Sequence, residues 1–257
     1  MYYTLKNDES GNSAAAGFRV RDVVRFFVVD LIVTISLKLL EGLGFFQSID
    51  GHVLAILGSK VTIFLYVIWL VRDRREAWPE TGATTAGRWW AWPLALGLYA
   101  AAYPVMVYAG EYNRHLMGLL YEWLGLVYQH QPQVVLILTF EDILSMPVRL
   151  LLIFFIVLAG PFLEELTFRG MALDAYRRSR GTAWAVIWTS VLFSLYHFNL
   201  SLFLPLSVLG AVFAFARLAS RSLWCAVLVH CLHNALTLVI LAQEFGVLEQ
   251  LIIRFTE

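Results

Sequence analysis

Two carboxylates, two histidines and an asparagine stand inside apolar stretches of the C-terminal half of the chain. Glu164 and Glu165 follow the run LLLIFFIVLAGPFL directly and precede Arg169; His197 closes the segment FSLYH that opens at Phe193; His230 and Asn234 bracket HCLHN. Ionisable groups at membrane depth cost about 3 kcal/mol or more each, so they mark a pair, a pathway or a reaction centre. Neighbouring carboxylates on a helix point about 100° apart, and only one of them faces a given centre. Glu165 lies four residues before Arg169, the favourable orientation for an i,i+4 ion pair. That leaves Glu164 to face a cavity, where a carboxylate is a good general base for activating water.

His230 and Asn234 are one helical turn apart and share a face, whereas His233 is rotated away, so His230 is favoured over His233. Amide and imidazole N–H groups are donors that gain strength in a water-poor cavity, which suits them to stabilise an oxyanion. Glu164, His197 and His230 are equally a ligand set for one divalent metal such as zinc, with an open position for water. No His-Glu-x-x-His, the strongest zinc-protease pattern, occurs in the sequence. A lone membrane histidine is more often a hydrogen-bonded packing residue. Two of them with an asparagine and a glutamate pair, all in the C-terminal helices, exceed what packing needs.

The three patterns Glu-Glu-x-x-x-Arg, Phe-x-x-x-His and His-x-x-x-Asn, in this order, resemble the CPBP intramembrane proteases. That family includes the CAAX prenyl endopeptidases (Rce1-like) and bacteriocin-processing or immunity-associated proteins. Phe168, Gly170, Gly210 and Arg217 extend the likeness, which covers roughly residues 145–243. The resemblance implies an intramembrane endopeptidase acting on a membrane-associated or lipidated peptide, including a prenylated CAAX-type end. Glu164 and His197 would activate water, and His230 and Asn234 would stabilise the oxyanion, with Glu165, Arg169 and Phe193 in support. The family has been described both as glutamate-type and as a metalloprotease, so the sequence leaves a hydrolase with no certain cofactor, or with one zinc ion held by Glu164, His197 and His230.

The elements that must carry these residues are hydrophobic helices. Of 257 residues, 60% are hydrophobic and 15% charged, against about 25% charged in a soluble domain, and the mean hydropathy is +0.69. Apolar runs near residues 23–44, 52–71, 90–110, 148–163, 183–198, 200–216 and 222–243 approach the length of about 20 residues that crosses a bilayer. They do not alternate as barrel strands would. The expected fold is therefore all-α, a polytopic transmembrane bundle of about seven or eight membrane helices. Residues 1–17 read as a disordered polar tail and 18–257 as one membrane domain, with 145–243 as the protease-like core. Residues 111–147 read as an amphipathic interfacial helix or lid carrying Leu116, Leu119, Leu120 and Trp123, with His115, Glu122 and His130 interspersed.

Nineteen basic residues balance nineteen acidic ones, so nothing in the charge recruits nucleic acid; the expected partners are the lipid bilayer and a membrane peptide. Lys6, Arg19 and Arg21, then Arg72, Arg74 and Arg75, then Arg177, Arg178 and Arg180, then Arg217 and Arg221 fill alternate gaps. By the positive-inside rule these gaps and the N-terminus lie in the cytoplasm, in a bacterial or archaeal plasma membrane. Asp30, Lys38 and Lys60 read as interhelical pairs or snorkelling lysines. Cys225 and Cys231, six apart, cannot bridge on one helix. The rival readings are a non-catalytic scaffold or immunity protein and a proton-coupled transporter.

Matched spacing makes the convergence geometric. Glu164 and His197 are equidistant from the turn at Ser179–Thr182, so straight antiparallel helices bring them to one depth, with Asn234 near that level and His230 about one turn lower.

Overall fold

The computed structural model describes residues 18–45, 49–73, 81–127 and 144–244. The tail expected over residues 1–17, together with His130, Arg74 and Arg75, lies outside the described residues. All regular structure among the described residues is helical. The helices are α1 (Val20–Gly42), α2 (Ile49–Asp73), α3 (Ala91–Trp123), α4 (Met146–Arg180), α5 (Thr182–Tyr196), α6 (Phe203–Ser220) and α7 (Leu223–Glu244). A 3-10 turn, Leu200–Leu202, links α5 to α6.

Four of these stretches are long and apolar enough to cross a membrane: α3, α4, Leu200–Ser220 and Leu223–Gln243. With the shorter apolar helices beside them, they form the all-helical membrane bundle that the sequence predicts. α1 is long enough but carries Asp22, Arg25, Asp30, Lys38 and Glu41, and α5 has 15 residues, a rise of about 22 Å against a hydrocarbon core of about 30 Å. Leu150, Phe154 and Leu158 of α4 and Val105 and Val107 of α3 point outward and are half exposed, the surface that acyl chains solvate. The expected separate helix after residue 110 is corrected. Gly110 does not break the chain, Pro104 is accommodated, and α3 runs unbroken through 33 residues to Trp123.

α4 is one helix with two widened stretches, π-helical at Phe155–Ala159 and Leu166–Ala172. π turns of this kind occur most often at functional sites, and here Glu164 and Glu165 lie between them. α4 stops at Gly181, whose φ of 87° few other residues adopt at low cost. α5 then runs antiparallel to α4 and ends at His197, where Phe198 takes a left-handed φ of 49°. Asn113 of α3 holds the reversal after His197: its Nδ2 donates to Leu200 O at 2.8 Å.

α6 is the central helix, packed against α3, α5 and α7. The main core gathers Phe168, Met171, Phe193, Leu209 and Phe213 between α4, α5 and α6. Gly210 brings α6 close to α5, since a Cβ there would lie 3.0 Å from Ser190 Cα. The basic ends share one side of the bundle. Arg178 donates to Phe18 O, Arg217 and Arg177 both pair with Asp174, and Arg88 N donates to Ser220 O beside Arg221. Cys225 and Cys231 are free thiols.

Candidate active site

Glu165 and Arg169 are fully buried and joined by a 3.0 Å ion pair between Oε1 and Nη1, the i,i+4 pairing expected from their spacing. Arg169 Nη2 donates to Gly210 O at 2.8 Å, and its guanidinium lies over the rings of Phe193 and Phe213, 4.6 and 5.2 Å from their centroids. The cation is thus paired, hydrogen-bonded and stacked, which is what tolerates it inside a bilayer.

His230 Nδ1 lies 2.9 Å from the same Glu165 Oε1. A carboxylate oxygen accepts, so Nδ1 carries the proton and Nε2 presents a lone pair. Phe213 stacks on the imidazole at 4.5 Å and 22°, fixing its plane. His197 is set in the same tautomer from the other side: its Nδ1 is 2.8 Å from Phe193 O, and a carbonyl only accepts. Phe193 also packs edge-on against both rings, at 4.8 Å to His197 and 5.6 Å to His230.

Both Nε2 atoms face Glu164. Its Oε2 is 3.8 Å from His230 Nε2 and 3.9 Å from His197 Nε2, and it has no hydrogen-bond partner. The Glu164 and His197 side chains are 21% and 23% exposed while His230 is 3% exposed, so the centre is open on the side of Glu164 and His197. Three acceptors turned toward one region suit a ligand that brings hydrogens.

The structure therefore brings Glu164, Glu165, Arg169, Phe193, His197 and His230 together. Asn234 is not in contact with the glutamate pair; its Nδ2 donates one hydrogen to Ile156 O at 2.7 Å. The depth arithmetic is corrected by about one turn, because His230, and not Asn234, stands level with the glutamate pair. His233 points away, with Nδ1 3.1 Å from Tyr99 Oη on α3.

Two neighbours went unassigned by the motifs. Lys60 does not snorkel; its Nζ donates to Tyr196 Oη at 2.7 Å, immediately before His197. Asp30 is 2% exposed, leaves Oδ1 unpaired and feels the charges of Lys60 and Glu164. Their only sequence signal is an ionisable residue within an apolar run. Lys38 instead pairs with Glu41 at the surface.

Residues 146–236 match the family model of the type II CAAX prenyl endopeptidase Rce1-like proteins. The chain carries an Rce1-like domain. It begins with α4 and ends within α7, so every motif residue lies inside it and Asp30 and Lys60 lie outside. No curated protein and no solved structure matches the chain. With its apolar helices, the Rce1-like domain makes this an integral membrane protein.

Among the described residues no group of three or more His, Cys, Asp or Glu is disposed to hold an ion. Ligands of a tetrahedral zinc ion at bond lengths of about 2.0 Å stand about 3.3 Å apart, closer than the 3.8 and 3.9 Å found here.

Proposed function

We propose that the chain is an intramembrane endopeptidase of the CAAX type, hydrolysing a peptide bond of a membrane-associated or lipidated peptide. The observation that carries this reading is the unpartnered Glu164 Oε2 between two imidazole lone pairs. Water supplies the hydrogens these acceptors lack.

Glu164, with His197 beside it, takes a proton from water as the oxygen bonds to the scissile carbonyl carbon. The C=O electrons move onto oxygen, and an oxyanion forms that needs donors. Asn234 spends one amide hydrogen on Ile156 O and has a second for the oxyanion. His230, held by Glu165 at its Nδ1, turns its Nε2 lone pair toward the same water and orients it for attack. Collapse of the intermediate breaks the C–N bond, and Glu164 returns its proton to the leaving amine. Glu165 and Arg169 act through His230 as positioning residues. No step passes through a metal.

The shared basic end of the bundle supports a cytoplasmic assignment for that side and for the N-terminus. The test is cleavage of a panel of lipidated and unlipidated membrane peptides by protein reconstituted in nanodiscs. Cleavage by the wild type and none by Glu164→Gln is expected. Failure of the wild type on the whole panel would overturn the reading in favour of a scaffold or a proton-coupled transporter.

A further inference from the structure

The hydrogen bond from Asn234 to Ile156 answers a deficit written into α4. At the end of the first widened stretch, Gly160 N–H donates to Phe155 O, five residues back. The carbonyl approaches so closely that a Cβ at residue 160 would lie 2.7 Å from it, so the turn requires glycine. In the same register the next N–H, at residue 161, would go to Ile156 O. Residue 161 is proline and has none. Asn234 supplies the missing hydrogen from another helix, at 2.7 Å.

α7 consequently grips α4 on both sides of Glu164: Asn234 holds Ile156 above it, and His230 meets Glu165 just after it, at 2.9 Å. A π turn inserts one residue relative to α-helical winding, and one residue is a rotation of about 100°. If the turn relaxes, Glu164 swings off the axis between the two imidazoles.

We propose that Asn234 is a positioning residue for Glu164, whose side-chain amide replaces the backbone N–H absent at Pro161 and so holds open the π turn that aims the carboxylate. This role is distinct from donation to an oxyanion. Its catalytic arm rests on the proteolytic reading above; its structural arm does not.

The experiment compares the wild type, Asn234→Ala, Pro161→Ala and the double variant in nanodiscs, by kcat and KM on a cleaved peptide and by the thermal midpoint. Alanine at 161 restores an N–H that can serve Ile156 O. Asn234→Ala is expected to lose kcat about 100-fold, with KM changed less than about threefold. Pro161→Ala should stay within about threefold of the wild type, and the double variant should regain kcat about tenfold over Asn234→Ala, together with most of the lost midpoint. The regain is partial because the second amide hydrogen is still missing. Asn234→Asp, which keeps the size but has no N–H, should be no better than Asn234→Ala. A double variant no more active than Asn234→Ala, or midpoint losses that simply add, would overturn the proposal. Should the wild type cleave nothing, the protease reading fails alone, and recovery of the midpoint by Pro161→Ala still decides whether the two groups replace one another.

Discussion

His230 Nδ1 and Glu165 Oε1 meet at 2.9 Å in the buried centre of the bundle, and the same oxygen receives Arg169 Nη1 at 3.0 Å. One carboxylate oxygen therefore holds both the structural cation and the imidazole that faces Glu164. Glu165→Gln keeps the shape but leaves the fully buried Arg169 without its counter-charge. Breaking a buried pair from one side costs about 3–5 kcal/mol. The expected outcome is a lower thermal midpoint, poorer expression and loss of activity together.

Glu164 behaves differently, because its Oε2 bonds to nothing in the protein. Glu164→Gln removes the base and disturbs no hydrogen bond, so the thermal midpoint should stay within about 2 °C of the wild type. Peptide cleavage should fall by about a thousandfold, the middle of the range for a lost general base. Retention of full activity would end the assignment. The contrast between the two glutamates, one stability-neutral and one not, is itself a check on the geometry.

Much of this arrangement was legible in the sequence, and the reason is periodicity. The i,i+4 spacing of Glu165 and Arg169, and of His230 and Asn234, holds wherever the chain is helical, and the apolar runs said that it is. Equal distances of Glu164 and His197 from the middle of the Ser179–Thr182 turn brought them to one depth. What escaped notice involved backbone atoms or distant partners. Gly160 and Pro161 announce a disturbed helix without saying that a π turn results, and no side-chain pattern encodes the orphaned carbonyl of Ile156. Assigning Glu165 to Arg169 also hid its second role, since a carboxylate has about four acceptor sites and one ion pair leaves room for His230. Lys60 and Tyr196, 136 residues apart, share no local signal at all.

Gly210 tests how tightly the centre is clamped. Its carbonyl accepts Arg169 Nη2, and an added Cβ would stand 3.0 Å from Ser190 Cα and 3.3 Å from Arg169 Nη2. Backbone is on one side of that contact, so relief requires α5 and α6 to part. Gly210→Ala should destabilise by about 1–3 kcal/mol, as overpacking does. Because Phe193 and His197 ride on α5, kcat should fall as well. An alanine variant with an unchanged midpoint would mean that α5 and α6 separate freely.

The last prediction concerns metal. Glu164 Oε2, His197 Nε2 and His230 Nε2 are chemically a zinc ligand set, and their tautomers leave both nitrogens free to coordinate. Their spacing is the difficulty: at 3.8 and 3.9 Å from each nitrogen, the carboxylate oxygen is farther off than the roughly 3.3 Å separation around a tetrahedral ion. Closing that gap requires Glu164 to move, and Glu164 is fixed to a helix held on either side by Asn234 and His230. Water, which reaches about 2.8 Å to each acceptor, spans the same gap without any movement. Purified protein should therefore contain far less than one zinc per chain by elemental analysis, and excess chelator should leave kcat within about twofold. A stoichiometric ion whose removal abolishes cleavage, and whose return restores it, would replace the glutamate mechanism with a metal one. In that case Glu164→Gln would lose the ion along with the activity. Under the glutamate mechanism the variant and the wild type have the same metal content.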